Sequence, residues 1–420
     1  MAVLAMGMTL TACSVDDNPA VEDIPGEPAV GGGQNVIDLS TITDDILLNN
    51  GDVITGKLAG AYKISIADGA TVTLDGVNIN GDGACNRNTP WAGITCLGSA
   101  TIVLSGENLV KQFLSGYPAI QAAHNATGEG DEYTLTITGE GSLTADGSEH
   151  SGVGIGGGHK IACGNICISG GTVTALGGFY AAAIGGGVDT TCGNISITGG
   201  TVTATASYDG AAGIGSGYVH DGSGSCGDII ISGSAIVTAT GGGNSAGIGS
   251  GRSYYESTNA CGNISISGAC TVIATGGRHG AGIGCGEFGS CGNITITGGD
   301  VTATGGDCAA GIGWGKNEVT NNSSCGVIRI EKGDDFTRVI AIKGLGATHP
   351  IGVSGYEYYC NIGEIYIGYS VIYDLLGYHS VENEDLGSLY VTISTTILGD
   401  EEGSKYKDNT WTITPREYWY

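Results

Sequence analysis

The chain has few basic residues. Lys and Arg number 15 among 420 residues, against 42 Asp and Glu, so the formal net charge is −27. Nucleic acids are polyanions that proteins bind through Lys and Arg, and an acidic surface of this kind repels them. We therefore expect no nucleic-acid partner.

Proline and long apolar runs are also scarce. Only 7 Pro accompany 80 Gly, and the Gly residues show no three-residue period, which excludes a collagen triple helix. Beyond the N-terminal segment, no stretch has the roughly eighteen consecutive apolar residues of a membrane-spanning helix. Disorder is not expected either, because 41% of the residues are hydrophobic and they alternate regularly with polar ones.

The chain contains instead one sequence motif that is repeated several times. A clear copy is "CGNITITGGDVTATGG", which begins at Cys291, and successive copies start 29 to 35 residues apart. Repeats of this length are typical of solenoids and propellers. The other copies begin at Cys163, Cys192, Cys226, Cys261 and, in a degraded form, Cys325.

Each copy contains three short apolar pieces separated by Gly, of the kinds "NISIT", "TVTAT" and "AAGIGSG". Apolar residues alternate with Ser or Thr, as at Ile195 and Ile197, and this period of two is typical of a strand with one buried face. A propeller blade needs four longer strands, for which the unit has no room. We therefore predict an all-β fold, a single-stranded, three-faced parallel β-helix with about 30 residues per coil in its middle.

Stacked coils bring equivalent residues directly above one another, so columns of identical side chains are expected. An Asn column, in which Asp228 replaces one member, is predicted at a corner, where stacked side chains satisfy polar groups. Its other members are Asn165, Asn194, Asn263 and Asn293. An interior column is predicted from Ile155, Ile184, Ile214, Ile248, Ile283 and Ile312.

These features resemble right-handed parallel β-helices of the pectate-lyase-like type. More narrowly, "VTLDGVNING" (72–81), "AGITCLGSATIVLSGENLVKQF" (92–113), "LTITGEGSLTADGSE" (135–149) and the "AGIGSG" series resemble bacterial surface lipoproteins described as carbohydrate-binding β-helix proteins. The resemblance covers most of the chain from about residue 36. It implies right-handed winding and a polysaccharide or host glycan as partner.

The N-terminal segment resembles that of an exported lipoprotein. "LTAC", residues 10–13, is similar to a lipobox, in which Cys13 would carry the lipid; the alternative is a short buried helix. "SVDDN" after it resembles the export signal of surface lipoproteins of the Bacteroides group.

We expect a monomer, lipid-anchored at the outer membrane or cell surface. The expected parts are a signal remnant (1–12), a flexible acidic tether (13–35) and one β-helix domain (36–420), divided into N-terminal coils (36–150), regular repeats (151–332) and C-terminal coils with a cap (333–420).

The chain contains 14 Cys, of which six begin the repeats. Stacked equivalents give each such Cys two candidate partners, so we favour buried free thiols that act as small apolar spacers. Cys85 and Cys96 are the expected exception. Zinc is not expected, because no CxxC pair occurs. Ca²⁺ between acidic residues of neighbouring coils stays open, although no loop has the required number of ligands, and no other cofactor is expected.

Three long loops, residues 216–225, 250–260 and 314–324, should leave the same edge of the solenoid. Their aromatic rings offer flat apolar faces to sugars, and their cationic side chains can bind hydroxyl or uronate groups. The alternative is that the rings only cover the coil edges. The candidate carbohydrate-binding residues are Tyr218, His220, Arg252, Tyr254, Tyr255, Trp314 and Lys316.

No motif marks a catalytic set, so we assign no catalytic residue and leave enzymatic activity open. A polysaccharide lyase or glycoside hydrolase of this fold would need clustered acids, Ca²⁺ ligands or a positioned base. A structural adhesin or spacer without glycan binding is the other alternative. The acidic side chains of the repeats are scattered over different coil positions, namely Asp189, Asp209, Asp221, Asp300 and Asp307.

Overall fold

A computed structural model describes residues 35–80, 91–128, 132–254, 257–316, 323–331, 337–347 and 349–352. It also gives the backbone of strands within 361–412. Parallel strands stack coil upon coil through this part of the chain, which is a β-solenoid, as predicted. Among the described residues, no helix has the length and apolar character needed to cross a membrane.

The "NISIT" pieces form one row of strands, here called the Asn-Ile row. Neighbouring strands pair in parallel and in exact repeat register, for example Ile195 with Ile229. Ile195 and Ile197 are buried and Ser196 between them is not, which confirms the period of two. The strands are Ala100–Ser105, Thr134–Gly139, Asn165–Ile168, Ile195–Ile197, Ile229–Ile231, Ile264–Ile266, Ile294–Ile296, Ile328–Ile330 and Ile365–Ile367.

The "TVTAT" pieces form a second row, the Thr-Val row. Its inward residues, such as Val202 and Ala204, are completely buried. The strands are Glu107–Lys111, Ser142–Gly147, Thr172–Gly177, Thr201–Ala206, Ile236–Thr240, Thr271–Thr275, Gly299–Thr304, Thr337–Ile342 and Leu389–Ile393.

The Gly-Ile-Gly pieces form the Ile-Gly row. The predicted Ile column is confirmed, because Ile155, Ile184, Ile214, Ile248, Ile283 and Ile312 pair in succession and are buried. The strands are Ile46–Leu48, Ile64–Ile66, Ile94–Cys96, Ile120–Gln121, Ile155–Gly156, Ile184–Gly185, Ile214–Gly215, Ile248–Gly249, Ile283–Gly284, Ile312–Gly313 and Ile351–Gly352.

A fourth, shorter row was not predicted. The residues around most repeat-initiating Cys pair in parallel as two- to four-residue strands, here called the Cys row, and Cys163 joins this row through a single bridge to Cys192. Since these strands carry little apolar alternation, the period of two did not reveal them. They are Thr191–Cys192, Ser223–Cys226, Thr258–Cys261, Ser290–Cys291, Ser324–Cys325 and Asn361–Ile362.

The two ends of the described chain depart from this regular stacking. Near the N-terminus, Val36–Asp38 pairs with Val53–Lys57, which pairs with the ten-residue strand Ala70–Ile79. That long strand pairs with the first described members of both the Asn-Ile and Thr-Val rows. Near the C-terminus, Ile372–Tyr373 pairs in parallel with Leu389–Ile393. Lys405–Lys407 pairs antiparallel with Thr410–Thr412 and with Ile365–Ile367, so the parallel arrangement ends there.

The Asn column is present, and most of its hydrogen bonds run from the backbone of one coil to the side chain of the preceding coil. The side-chain oxygen of each member accepts the backbone N–H of the next coil, at 2.9 Å from Asn194 to Asn165 and 2.8 Å from Asp228 to Asn194. Asp228 in turn accepts from the backbone of Asn263 at 2.7 Å. The bond to the backbone needs only an acceptor, so a carboxylate can make it, and the amide of Asn263 also donates to Asp228 at 3.1 Å.

Most described cysteines are free thiols, as predicted. Cys167 is disulfide-bonded. Cys96 is a buried free thiol, so the expectation of a bond there is wrong, and Cys85 lies outside the described residues. Burial raises the pKa of Cys96 to about 12. The free thiols include Cys96, Cys163, Cys192, Cys226, Cys261, Cys285, Cys291 and Cys308.

Candidate functional site

Aromatic side chains of successive coils meet along one edge of the solenoid. They come from turns at both ends of the Ile-Gly strands. Three follow Thr-Val strands and three follow Ile-Gly strands, and because both turns lie at the same edge, their rings come together. We call this set the aromatic strip: Phe179, Tyr180, Tyr208, Tyr218, His220 and Tyr254.

Ring contacts join the strip from one coil to the next. Phe179 and Tyr208 stack with centroids 4.0 Å apart, and Tyr180 lies 4.9 Å from Tyr218. Tyr218 is followed by His220 at 6.1 Å, and His220 stacks on Tyr254 at 5.2 Å. Contacts at these separations are favourable for aromatic pairs, so each ring helps to fix the orientation of its neighbour.

The outer rings of the strip are open to solvent. Tyr208 is 65% exposed and Tyr254 is 51% exposed, whereas Tyr218, whose ring contacts Tyr180 and His220, is 7% exposed. Tyr180 and Tyr208 also have positive φ angles, 64° and 62°. Such backbone conformations are uncommon for aromatic residues and cost on the order of 1 kcal/mol each. The fold therefore exposes large apolar rings at positions where only glycine would be free of backbone strain.

A group of charged side chains supports the strip. Arg252 lies over the ring of Tyr218, with its guanidinium carbon 5.9 Å from the centroid. Its Nη1 donates to Asp209 at 3.3 Å, and its Nε lies 2.8 Å from Glu287. The Arg252–Glu287 contact lacks hydrogen-bond alignment and acts as a charge contact; Nδ1 of His279 also lies 3.2 Å from Glu287 without hydrogen-bond alignment.

The net charge beside the strip is not positive. Arg252 is shared by two carboxylates, Asp209 and Glu287. Asp189 accepts the backbone N–H groups of His220 and Asp221, at 2.7 and 3.1 Å. Burial raises the pKa of Tyr218, and the nearby Arg252 opposes this shift. Arg252, the one described cation in contact with the rings, is therefore already paired with carboxylates.

The structure brings together four of the seven residues that the sequence indicated, Tyr218, His220, Arg252 and Tyr254. Lys316 is half-buried, and its backbone N–H donates to the carbonyl of His279 at 2.8 Å, next to the charged group. Tyr255 and Cys13 lie outside the described residues.

Trp314 does not belong to the surface. Its side chain is 0% exposed and packs in the hydrophobic core, so the prediction placed it wrongly. The physical reason is its position: it directly follows Ile312–Gly313, where the chain still lines the interior.

Sequence reasoning missed Phe179, Tyr180 and Tyr208. These residues occupy a short turn after the Thr-Val strand, and the length of this turn hardly varies between coils, so loop length does not mark it as a candidate site. A signal was present. Other repeats have Gly-rich turns there, such as "GGGN" (241–244), whereas "GGFY" (177–180) and "ASYD" (206–209) carry aromatics.

One group of three potential metal-ligand side chains occurs among the described residues, and it is made of cysteines. The Sγ atoms of Cys285, Cys291 and Cys325 lie within 4.8 Å of one another, and all three side chains are buried. Burial raises the pKa of Cys285, whereas hydrogen bonds with Cys285 and Cys325 lower the pKa of Cys291. The group lies in the buried core, whereas the outer rings of the strip are exposed.

The stacked rows and buried columns define the chain as a parallel β-helix protein. In agreement, the model of a family described as "Beta helix repeat" matches six segments of it. No curated protein and no solved structure matches the chain significantly. The matched segments are residues 135–159, 166–188, 195–218, 229–252, 264–287 and 294–313.

Proposed function

We propose that the protein binds a polysaccharide or host glycan along the aromatic strip, as a monomer anchored at an outer membrane or cell surface through a lipid on Cys13. The observation that carries the binding proposal is the row of exposed rings on a rigid scaffold. The apolar faces of sugar rings pack on aromatic faces, and rings already fixed by their neighbours lose little conformational entropy on binding.

The charges around the strip favour a neutral glycan. A uronate-rich polysaccharide would need free cations, but Arg252 is paired with Asp209 and Glu287. The chain as a whole has a formal charge of −27, which repels polyanions at long range. Neutral hydroxyl groups can still accept hydrogen bonds from Arg252 or donate them to the exposed Asp221.

A glycan array probed with the wild type and a Tyr208→Ala, Tyr254→Ala double variant tests the proposal. We expect the wild type to bind neutral glycans, and the double variant to bind at least about tenfold more weakly, because two exposed stacking faces are removed. The matched control is Ile236→Ala with Ile273→Ala. It truncates two exposed apolar side chains of the Thr-Val row, outside the strip, and should leave binding unchanged.

The outcomes separate the alternatives. Full binding by the Tyr208, Tyr254 variant would remove the strip as the site. Absence of wild-type binding to any glycan would leave a structural adhesin or spacer. Release of reducing ends or unsaturated uronates from a bound polysaccharide would show a lyase or hydrolase instead of a simple binding protein.

Anchoring has its own experiment. Cys13→Ala should abolish labelling by a radioactive fatty acid and release the protein from the membrane fraction. Membrane association that is unchanged in this variant would refute the lipid anchor without affecting the glycan proposal.

A further inference from the structure

A buried cluster of three thiols lies where the Ile-Gly and Cys rows meet. Cys285 follows Ile283–Gly284, whereas Cys291 and Cys325 are successive members of the Cys row. The Sγ of Cys291 is 3.1 Å from that of Cys285 and 3.3 Å from that of Cys325. All three side chains are at most 4% exposed. The stacking of two coils thus brings together residues that are 34 positions apart in sequence.

This cluster is a departure from the repeat. The two preceding coils have Ser216 and Ser250 at the position of Cys285. The hydroxyls of these serines accept the backbone N–H groups of Gly251 and Gly286, at 2.9 and 3.1 Å. Replacement of this Ser by Cys gives up a good hydrogen-bond acceptor and adds a third sulfur beside the Cys row. Packing alone does not explain the exchange, since a hydroxyl already fits there.

The sulfur positions suit a metal ion. In a trigonal plane with metal–sulfur bonds of about 2.3 Å, the sulfur atoms stand about 4 Å apart. Separations of 3.1 and 3.3 Å, in a group whose atoms all lie within 4.8 Å, need adjustments below about 1 Å. The three thiols belong to the same buried core as Ile283, Ile294 and Ile328, and the carbonyl oxygen of Ser324 lies 3.9 Å from the Sγ of Cys285.

We propose that Cys285, Cys291 and Cys325 bind one soft monovalent ion, Cu(I), in trigonal coordination. Thiolates select soft ions, and Cu(I) accepts three sulfur ligands. Zn²⁺ requires a fourth ligand, and no further described His, Cys, Asp or Glu belongs to the group. Each new metal–sulfur bond replaces an S–H bond and releases its proton to water, while copper keeps its oxidation state. The proposal does not depend on glycan binding.

The experiment uses the full-length reduced protein, loaded anaerobically with Cu(I) and then challenged with a Cu(I)-specific chelator. We expect about one copper per chain to resist the chelator, and the copper X-ray absorption spectrum to show three sulfur neighbours at about 2.3 Å. Copper in the wild type that the chelator removes completely, or that has nitrogen or oxygen neighbours, would overturn the proposal. This readout needs no variant.

Variants then locate the ion. Cys285→Ser restores the residue of the preceding coils and should lower the retained copper at least tenfold. The control is Cys226→Ser, which removes a Cys-row thiol that has row neighbours but no counterpart of Cys285, and it should retain the wild-type copper. Equal retention by both variants would refute the three-thiol site. A Cys285–Cys291 disulfide found by mass spectrometry in anaerobically purified protein would also overturn it, because the ligands would already be consumed.

Discussion

The interior columns and the aromatic strip belong to the same coils but follow opposite rules. In the Ile column, Ile184, Ile214 and Ile248 are the same residue in three successive coils. At the edge, the corresponding turns carry "GGFY", "ASYD" and "GGGN". An interior residue packs on copies of itself above and below, so one residue type fits every coil. An edge residue faces water on one side and is free to differ. Repetition therefore identifies scaffold, and departures identify candidate sites.

The largest effect is expected where the columns are tightest. Gly249 has φ +135°, and a Cβ there would stand 1.9 Å from the carbonyl oxygen of Gly284 in the next coil. Gly249→Ala should destabilise the protein by about 3 kcal/mol, because both the backbone and the neighbouring coil must shift. Thermal unfolding followed by circular dichroism measures this.

Gly222→Ala is the matched control for that comparison. Gly222 also has a positive φ, +91°, but its Cβ would meet no atom within 4 Å. Gly222→Ala should lower the stability by only about 1 kcal/mol, because it strains the backbone without displacing a neighbouring coil. An equal loss of stability in the two variants would mean that close contact between coils is not the reason why this Gly recurs in every coil.

An intermediate effect is expected at the Asn column. The side-chain oxygen of Asn165 accepts the backbone N–H of Asn194 at 2.9 Å. Asn165→Ala should cost about 1 kcal/mol by removing that acceptor, whereas Asn165→Asp, which mimics Asp228, should cost less. Denaturant unfolding of the two variants tests whether the column requires an acceptor or an amide. An Asp variant as unstable as the Ala variant would favour the amide.

The smallest effect concerns the charged group beneath the strip. Burial lowers the pKa of His279 from its ordinary value of 6.5, against the opposing charge of Glu287; Lys316 and Arg278 add to the lowering. The folded state thus favours the neutral imidazole of His279. The stabilisation that this preference gives is present above pH 6.5 and is lost as the pH falls towards the folded-state pKa.

His279→Gln should therefore flatten the decline in stability on mild acidification. Unfolding midpoints of both proteins, measured from about pH 7 to about pH 5, give the two slopes. Parallel slopes would contradict the assignment and would place the acid sensitivity elsewhere in the molecule.

The sequence predicted the scaffold better than the site for a physical reason. Stacking repeats the same contact in every coil, so the Ile and Asn columns are detectable as residues that recur once per sequence repeat. The short Cys row was missed, because it shows no alternation. At the edge, Tyr218 and Tyr254 were found through the variable loops. Tyr208 was missed and Trp314 misplaced, because a single residue beside a Gly-rich corner has no pattern that reveals which way its side chain points.

The sequence by itself determined that this protein is a β-solenoid, which residues form its columns and where the repeats depart from one another. Tertiary structure alone decided which departures meet. Phe179 and Tyr208 stack, Arg252 joins Asp209 to Glu287, and Cys285 reaches Cys291 and Cys325, in each case through the stacking of coils. Such contacts depend on turn conformation and on distances between coils, which the order of residues within one repeat does not encode.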